Sequence, residues 1–173
     1  ELVREASTLF GSSTIVVSVE AVKRADNKYE CFIDNGREAT GKNVFEWVIE
    51  AAQLGAGELL ITSVDKEGTG EGYDLDLIKT ISDAVDIPVI ACGGGGEYQH
   101  IADALSKGHA DSISLASLIH YDAVENVEIE NLNEVAFGLS AESRNTGARI
   151  KHMALNELKK RLIADQFNLK SHR

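Results

Sequence analysis

The chain has 173 residues and a mass of 18.7 kDa, room for one ordinary domain, and its 43% hydrophobic and 26% charged residues exclude wholesale disorder. Seventeen Lys and Arg against 28 Asp and Glu give a net charge of −11, which argues against a nucleic-acid or anionic-membrane surface. The same balance leaves room for a small phosphorylated ligand held by main-chain amides.

The opening stretch ELVREASTLFGSS is amphipathic, carries both signs of charge and has no initiator Met. It reads as the middle of a helix in a longer chain, and not as a signal or transit peptide. Residues 14–19 (TIVVSV) are a β-branched run expected as a strand buried on both faces. Residues 29–33 read as a second strand, ended by the turn Asp34-Asn35-Gly36. Val44, Trp47, Val48, Ala51 and Leu54 then recur at helical spacing until Gly55. Residues 58–63 (ELLITS) are the next buried strand, and Leu75, Ile78, Ile81 and Val85 mark a helix with Asp74 as its N-cap.

Pro88 opens the strand Val89-Ile90-Ala91, and Gly93-Gly94-Gly95-Gly96 follow at once. Tyr98, Ile101, Ala102 and Leu105 make a third helix stopped by Gly108, and residues 112–115 read as a fourth short strand. Alternation of this kind predicts an α/β fold with a parallel sheet and crossover helices. After His120 the pattern breaks. Residues 121–150 carry six acids against two bases and no sustained period, and are expected to form an irregular insertion. A helix returns over 151–164, with Leu155, Leu158 and Leu162 on one face, before a frayed tail. The chain thus divides into 1–120, 121–150 and 151–173.

Ligands of parallel α/β folds bind beyond the carboxyl ends of the strands. That rule selects Glu20, Lys23 and Arg24, then Asp65-Lys66-Glu67-Gly68-Thr69, then the four glycines, then Ala116-Ser117. Glycines between a strand and a helix N-terminus let amides approach a phosphate, and the helix dipole favours the anion. They equally suit a tight turn that needs positive φ. The run is neither a dinucleotide-binding fingerprint nor a P-loop, since Tyr98 or Gln99 stands where the last glycine should be and no GK[ST] follows. Glu20 and the Asp65/Glu67 pair are either general acid–base groups or partners in structural ion pairs.

The five histidines show no metal-ligand spacing, and neither a metal nor a cofactor is expected. Cys31 and Cys92 form no CxxC, which points away from a zinc site or disulfide framework and toward a reducing cytoplasm. No apolar run approaches the ~20 residues that cross a bilayer, so no membrane partner is expected.

Taken together, SVEAVKR, GREATG, GAGELLITSVDKEGTGEGYDLDLIKTIS, IPVIACGGGG and DSISLAS stand in one family's order and spacing. They resemble the C-terminal half of the cyclase subunit of imidazole glycerol phosphate synthase, over about residues 1–120. Gly72-Tyr73-Asp74 separates this resemblance from the related isomerase. The resemblance implies a (β/α)8 barrel, here represented by its fifth to eighth strands. It implies ammonia delivered by a glutaminase partner, and a phosphorylated small-molecule substrate converted to imidazole glycerol phosphate and an aminoimidazole carboxamide ribotide. It further implies that Gly68, Thr69, Gly94, Gly95, Ala116 and Ser117 hold a phosphate, that Glu20 and Glu67 are catalytic, and that Glu58 stands at the mouth of the ammonia path.

Glu20 and Glu67 occupy positions where the family has Asp, and Cys92 replaces a usual Ser. That Cys is shared with a paralogous group that helps amidate surface-glycan sugars from a nucleotide-linked substrate. A decayed, phosphate-binding barrel is the third reading. A half-barrel has unpaired edges, so its expected partner is the missing N-terminal half or a second copy.

Overall fold

The computed structural model describes residues 1–125 and 150–167. It opens with helix α1 (Leu2–Phe10), closed by Gly11 at φ 85° and a 3-10 turn over Ser12–Thr14. Strand β1 (Val16–Lys23) follows, then β2 (Tyr29–Ile33) and β3 (Glu38–Asn43). The turn between β2 and β3 carries Asp34, Asn35 and Gly36 at φ 54°, 56° and 75°, the left-handed region tolerated by Asp, Asn and Gly. Helix α2 (Val44–Gln53) starts on Asn43, whose side chain accepts the amides of Phe45 and Glu46.

Three strand–helix pairs complete the unit. They are β4 (Glu58–Ser63) with α3 (Leu75–Ser82), β5 (Val89–Cys92) with α4 (Tyr98–Ser106), and β6 (Ser112–Ile113) with α5 (Ser117–Glu125). A last helix, α6, covers Leu155–Ala164. The six strands form one sheet in the order β3-β2-β1-β4-β5-β6. Strands β1, β4, β5 and β6 are parallel, and the β2–β3 hairpin extends the β1 edge antiparallel.

Burial alternates along the parallel strands. Val19, Ala21, Leu59, Ile61, Val89 and Ala91 point into the core and are almost wholly covered. They meet Val48 and Ala51 of α2, Leu77 and Ile81 of α3, and Ile101 and Ala104 of α4. Burying a Leu or Ile side chain of this kind stabilises the fold by about 1.5–3 kcal/mol. The alternate residues Val16, Ser18, Glu20, Leu60, Thr62, Ile90 and Cys92 are exposed or half-covered, with Val16 at 51%. The strands expected to be buried on both faces are therefore buried on one. The helices cover that face, and the described chain places no layer on the other.

Several boundaries differ from the sequence expectation. The strand expected over 14–19 begins at Val16 and runs to Lys23, because Gly57 and Glu58 amides already take the Ile15 carbonyl and the ladder continues from there. Strand β3 was not expected at all: EATGKN has no apolar alternation and is largely solvent-facing. Of the stretch 121–150, residues 121–125 belong to α5 and Ile150 is buried, while residues 126–149 lie outside the described residues. The helix expected over 151–164 starts four residues later, at Leu155. No helix of the described residues is long and apolar enough to cross a membrane.

Candidate functional site

The loop after β4 folds tightly on its own strand. The amides of Lys66 and Glu67 donate to the Ser63 carbonyl at 3.1 and 3.0 Å, and the Thr69 amide donates to Lys66 O at 3.1 Å. The following residues lie against the glycine run after β5. Gly72 N–H donates to Gly94 O at 2.8 Å. A Cβ on Gly94 would sit 2.1 Å from Gly72 O, one on Gly95 2.5 Å from the Tyr73 hydroxyl, and one on Gly96 2.3 Å from Gly70 O. Gly93 and Gly94 also hold φ of 91° and 102°, where an L side chain is strained. The run therefore meets the tight-turn reading: positive φ at Gly93 and Gly94, and close packing of Gly94, Gly95 and Gly96 against Gly72, Tyr73 and Gly70.

Tyr73 fastens this pair of loops to the next strand by donating from its hydroxyl to Ser114 O at 3.1 Å. Burial pushes its phenol well above the ordinary value, with Cys92 and Glu67 adding to the effect, so it stays a neutral donor. On the other side, Tyr29 donates to both oxygens of Asp74, at 3.1 and 2.9 Å, while Asp74 Oδ1 caps Leu77 N–H of α3 at 3.1 Å. The N-cap expected at Asp74 is thus present, and it also ties α3 to strand β2.

The three strand ends enclose one cavity of about 100 Å3. Its wall includes Glu67, Gly68 and Gly70 from the first loop, Cys92 and Gly93-Gly94-Gly95 from the second, and Ser114 to Ser117 from the third. Gly68 has φ 73° and open space where a Cβ would be, so its backbone borders the cavity without obstruction. Helix α5 begins at Ser117 in the wall, and the amides of a helix's first turn have no intrahelical acceptor. A site walled by glycine backbone and the N-terminus of α5 can hold an anion by N–H donation and dipole without a cation. Among the described residues its lining contains no Lys or Arg, and Glu67 is its charged side chain.

Of the residues expected to hold phosphate, Gly68, Gly94, Gly95, Ala116 and Ser117 line this one cavity. Thr69 stands beside it without lining it, its hydroxyl donating to Lys66 O at 2.8 Å. Glu20 is not in the lining. It pairs in register with Thr62, which pairs with Cys92, so all three share one level of the open sheet face. Two strand spacings, about 9–10 Å, separate Glu20 from Cys92. One Glu20 oxygen accepts Gly36 N–H at 2.8 Å, which fixes the carboxylate toward the hairpin turn. Asp65 accepts Lys23 N–H at 2.7 Å, a structural role. Glu58 is the first residue of β4, four residues before Thr62 and at the opposite end of the same face.

Ile150, Gly70 and Ser114 also line the cavity and were not singled out from the sequence. For Gly70 the signal was present in the G-T-G-E-G spacing; for Ile150 there was none. Among the described residues no cluster of three or more His, Cys, Asp or Glu is placed to hold a metal ion.

Residues 1–125 match the family model described as "Histidine biosynthesis protein". The chain belongs to that family. The histidine biosynthesis family is one of (β/α)8 barrels, and β1, β4, β5 and β6 with their helices form part of such a barrel. Among curated family members, the imidazole glycerol phosphate synthase subunit HisF of Alkaliphilus metalliredigens is 46% identical over 123 residues. The match covers 71% of this chain and 49% of that relative, so the chain spans about half the length of the curated family member it matches.

Proposed function

We propose that this chain supplies the phosphate-holding half of an ammonia-dependent cyclase of the imidazole glycerol phosphate synthase type. The observation that carries the reading is the single cavity joining Gly68, Gly94, Gly95, Ala116 and Ser117 at the carboxyl end of the parallel strands. In this reading main-chain amides grip one terminal phosphate of an elongated substrate. The reacting centre then lies over the open sheet face, where Glu20 serves as general acid and Glu67, at the cavity wall, as the second proton-handling carboxylate. Ammonia from a glutaminase partner enters past Glu58, about 13 Å along β4 from the level of Glu20. The N-terminal half-barrel covers the open face and brings the remaining acid and the second phosphate site. Cys31 and Cys92 are both free, in keeping with a reducing cytoplasm.

The test is to co-express the chain with the first half of the Alkaliphilus relative and supply the doubly phosphorylated substrate with ammonium. The expected outcome is imidazole glycerol phosphate and the aminoimidazole carboxamide ribotide, with turnover reduced by Gly94→Ala. A folded, assembled pair without turnover, unchanged by Glu20→Asp and Glu67→Asp, refutes it. Two observations favour rivals. The Gly36 amide already engages Glu20, which suits a non-catalytic phosphate-binding barrel. Gain of turnover in the double Asp variant discriminates decayed catalysis from binding alone. Cys92 in the cavity wall suits the amidation paralogues, and turnover of a nucleotide sugar in place of the histidine precursor favours them.

A further inference from the structure

We propose that Ile150 is a positioning residue of the anion cavity: residues 150–153, outside the stretch 1–125 that matches the family model, close the cavity with an apolar wall and clamp the starts of α4 and α5 beside it. The proposal rests on the phosphate-holding reading above.

Four contacts carry it. Ile150 is 5% exposed and lines the cavity. Its Cγ1 lies 3.1 Å from the point a Cβ on Gly70 would occupy, so Ile150 packs closely over Gly70. The next residue, Lys151, donates its amide to Gly96 O at 2.8 Å and pairs its ammonium with Glu97, the residue preceding α4. Met153 N–H donates to Leu118 O at 3.3 Å, in the first turn of α5. One short segment is therefore hydrogen-bonded to the entry of α4 and to the start of α5.

Helix α6 anchors that segment from behind. Leu158 and Leu162 are buried, Arg161 lies 4.1 Å over the Tyr98 ring, and the Tyr98 hydroxyl is bonded to Asp165.

The chemistry of the cavity makes such a clamp consequential. With no cation in the described lining, an anion depends on directional N–H donors, whose strength falls steeply with misalignment. Ammonium Lys151 is turned to Glu97 and does not replace them. An apolar wall keeps water off one side, which strengthens each remaining N–H contact. Ile150 thus acts through the amides, by holding their spacing and their dryness.

The experiment titrates the full chain with inorganic phosphate and follows the backbone amide NMR shifts of Gly68, Gly94, Gly95 and Ser117. Ile150→Ala is expected to weaken binding about fivefold, and Ile150→Asp at least about twentyfold, by opening and then charging the wall. Ile150→Val is expected to stay within about twofold, as is Ile163→Asp, which adds the same charge at a 62% exposed position of α6. Thermal midpoints establish that each variant is folded; if Ile150→Asp is not, Ile150→Ala decides. Saturable binding by the wild-type chain with equal or tighter binding by Ile150→Ala overturns the role of Ile150 and leaves the cradle standing. Absence of saturable shifts in the wild-type chain refutes the cradle itself.

Discussion

Gly94→Ala probes how the two strand-end loops are held together. At φ 102° an alanine pays the strain of the left-handed side of the map, about 1–2 kcal/mol. Its Cβ would stand 2.1 Å from Gly72 O and 3.1 Å from Lys66 Cβ. The loops must part to relieve that overlap, and the Gly72 N–H to Gly94 O bond lengthens or breaks, at a further cost of about 0.5–1.5 kcal/mol. The expected destabilisation is about 1.5–3.5 kcal/mol, or about 3–14 °C in the thermal midpoint of a chain this size. Gly68→Ala is the matched comparison, since φ is 73° and no atom lies within 4 Å of the added Cβ. It should cost only the backbone strain, about 1–2 kcal/mol. Circular dichroism melts of the two variants, side by side with wild type, are the assay. Equal midpoints, or a lower one for Gly68→Ala, would show that the loops do not interlock as described.

Other outcomes follow from single contacts. Asp74→Ala removes the α3 cap and leaves the Tyr29 hydroxyl unpaired, and should cost about 2–3 kcal/mol in urea unfolding; in combination with Tyr29→Phe the losses should not add. Glu67→Gln takes a carboxylate from the wall of the proposed phosphate cavity and should tighten inorganic phosphate about fivefold by calorimetry, since a charge pair near 4 Å is worth about 1 kcal/mol in water. Burial pushes the Cys31 thiol up to about 11, so iodoacetamide at pH 8 should label Cys92 in the native protein and spare Cys31. Because that folded value is raised, the contribution of Cys31 to stability is whole below about pH 9 and lost as pH rises toward 11. Cys31→Ser should flatten that alkaline decline in melting temperature. Leu158→Ala empties a buried site under α6 and should cost about 2–4 kcal/mol, read as early loss of the α6 amides in hydrogen exchange.

The alternation of strands and helices was legible because each element declares its own period and punctuation. Asp74 before Leu75 and Gly55 after Leu54 mark helix ends by local chemistry alone, and both marks stand in the structure. The strand-end rule gathered Gly68, Gly94 and Ser117 because parallel topology brings those ends together whatever their side chains. Strand β3 was not legible: its residues are polar and exposed, and the Tyr29–Ile33 partner dictates the pairing. Burial on both faces was read from β-branched runs such as Val16 to Val19, but that pattern reports where a strand tolerates contact and not whether a second layer is present. Ile150 carries no periodic signal because the segment it opens is held by the Lys151 and Met153 amides donating to Gly96 O and Leu118 O, and not by a helix or strand of its own.

The mutual burial of Gly70–Gly72 backbone and the run beginning at Gly93 has an evolutionary corollary. Gly94 and Gly96 admit no Cβ unless the Gly70–Gly72 backbone retreats in step, so variation in the later turn is conditional on the earlier one. Grafting one of them into a related barrel would meet a mismatched surface, whereas transplanting both, with Tyr73 as their rivet to Ser114, would carry the recess intact.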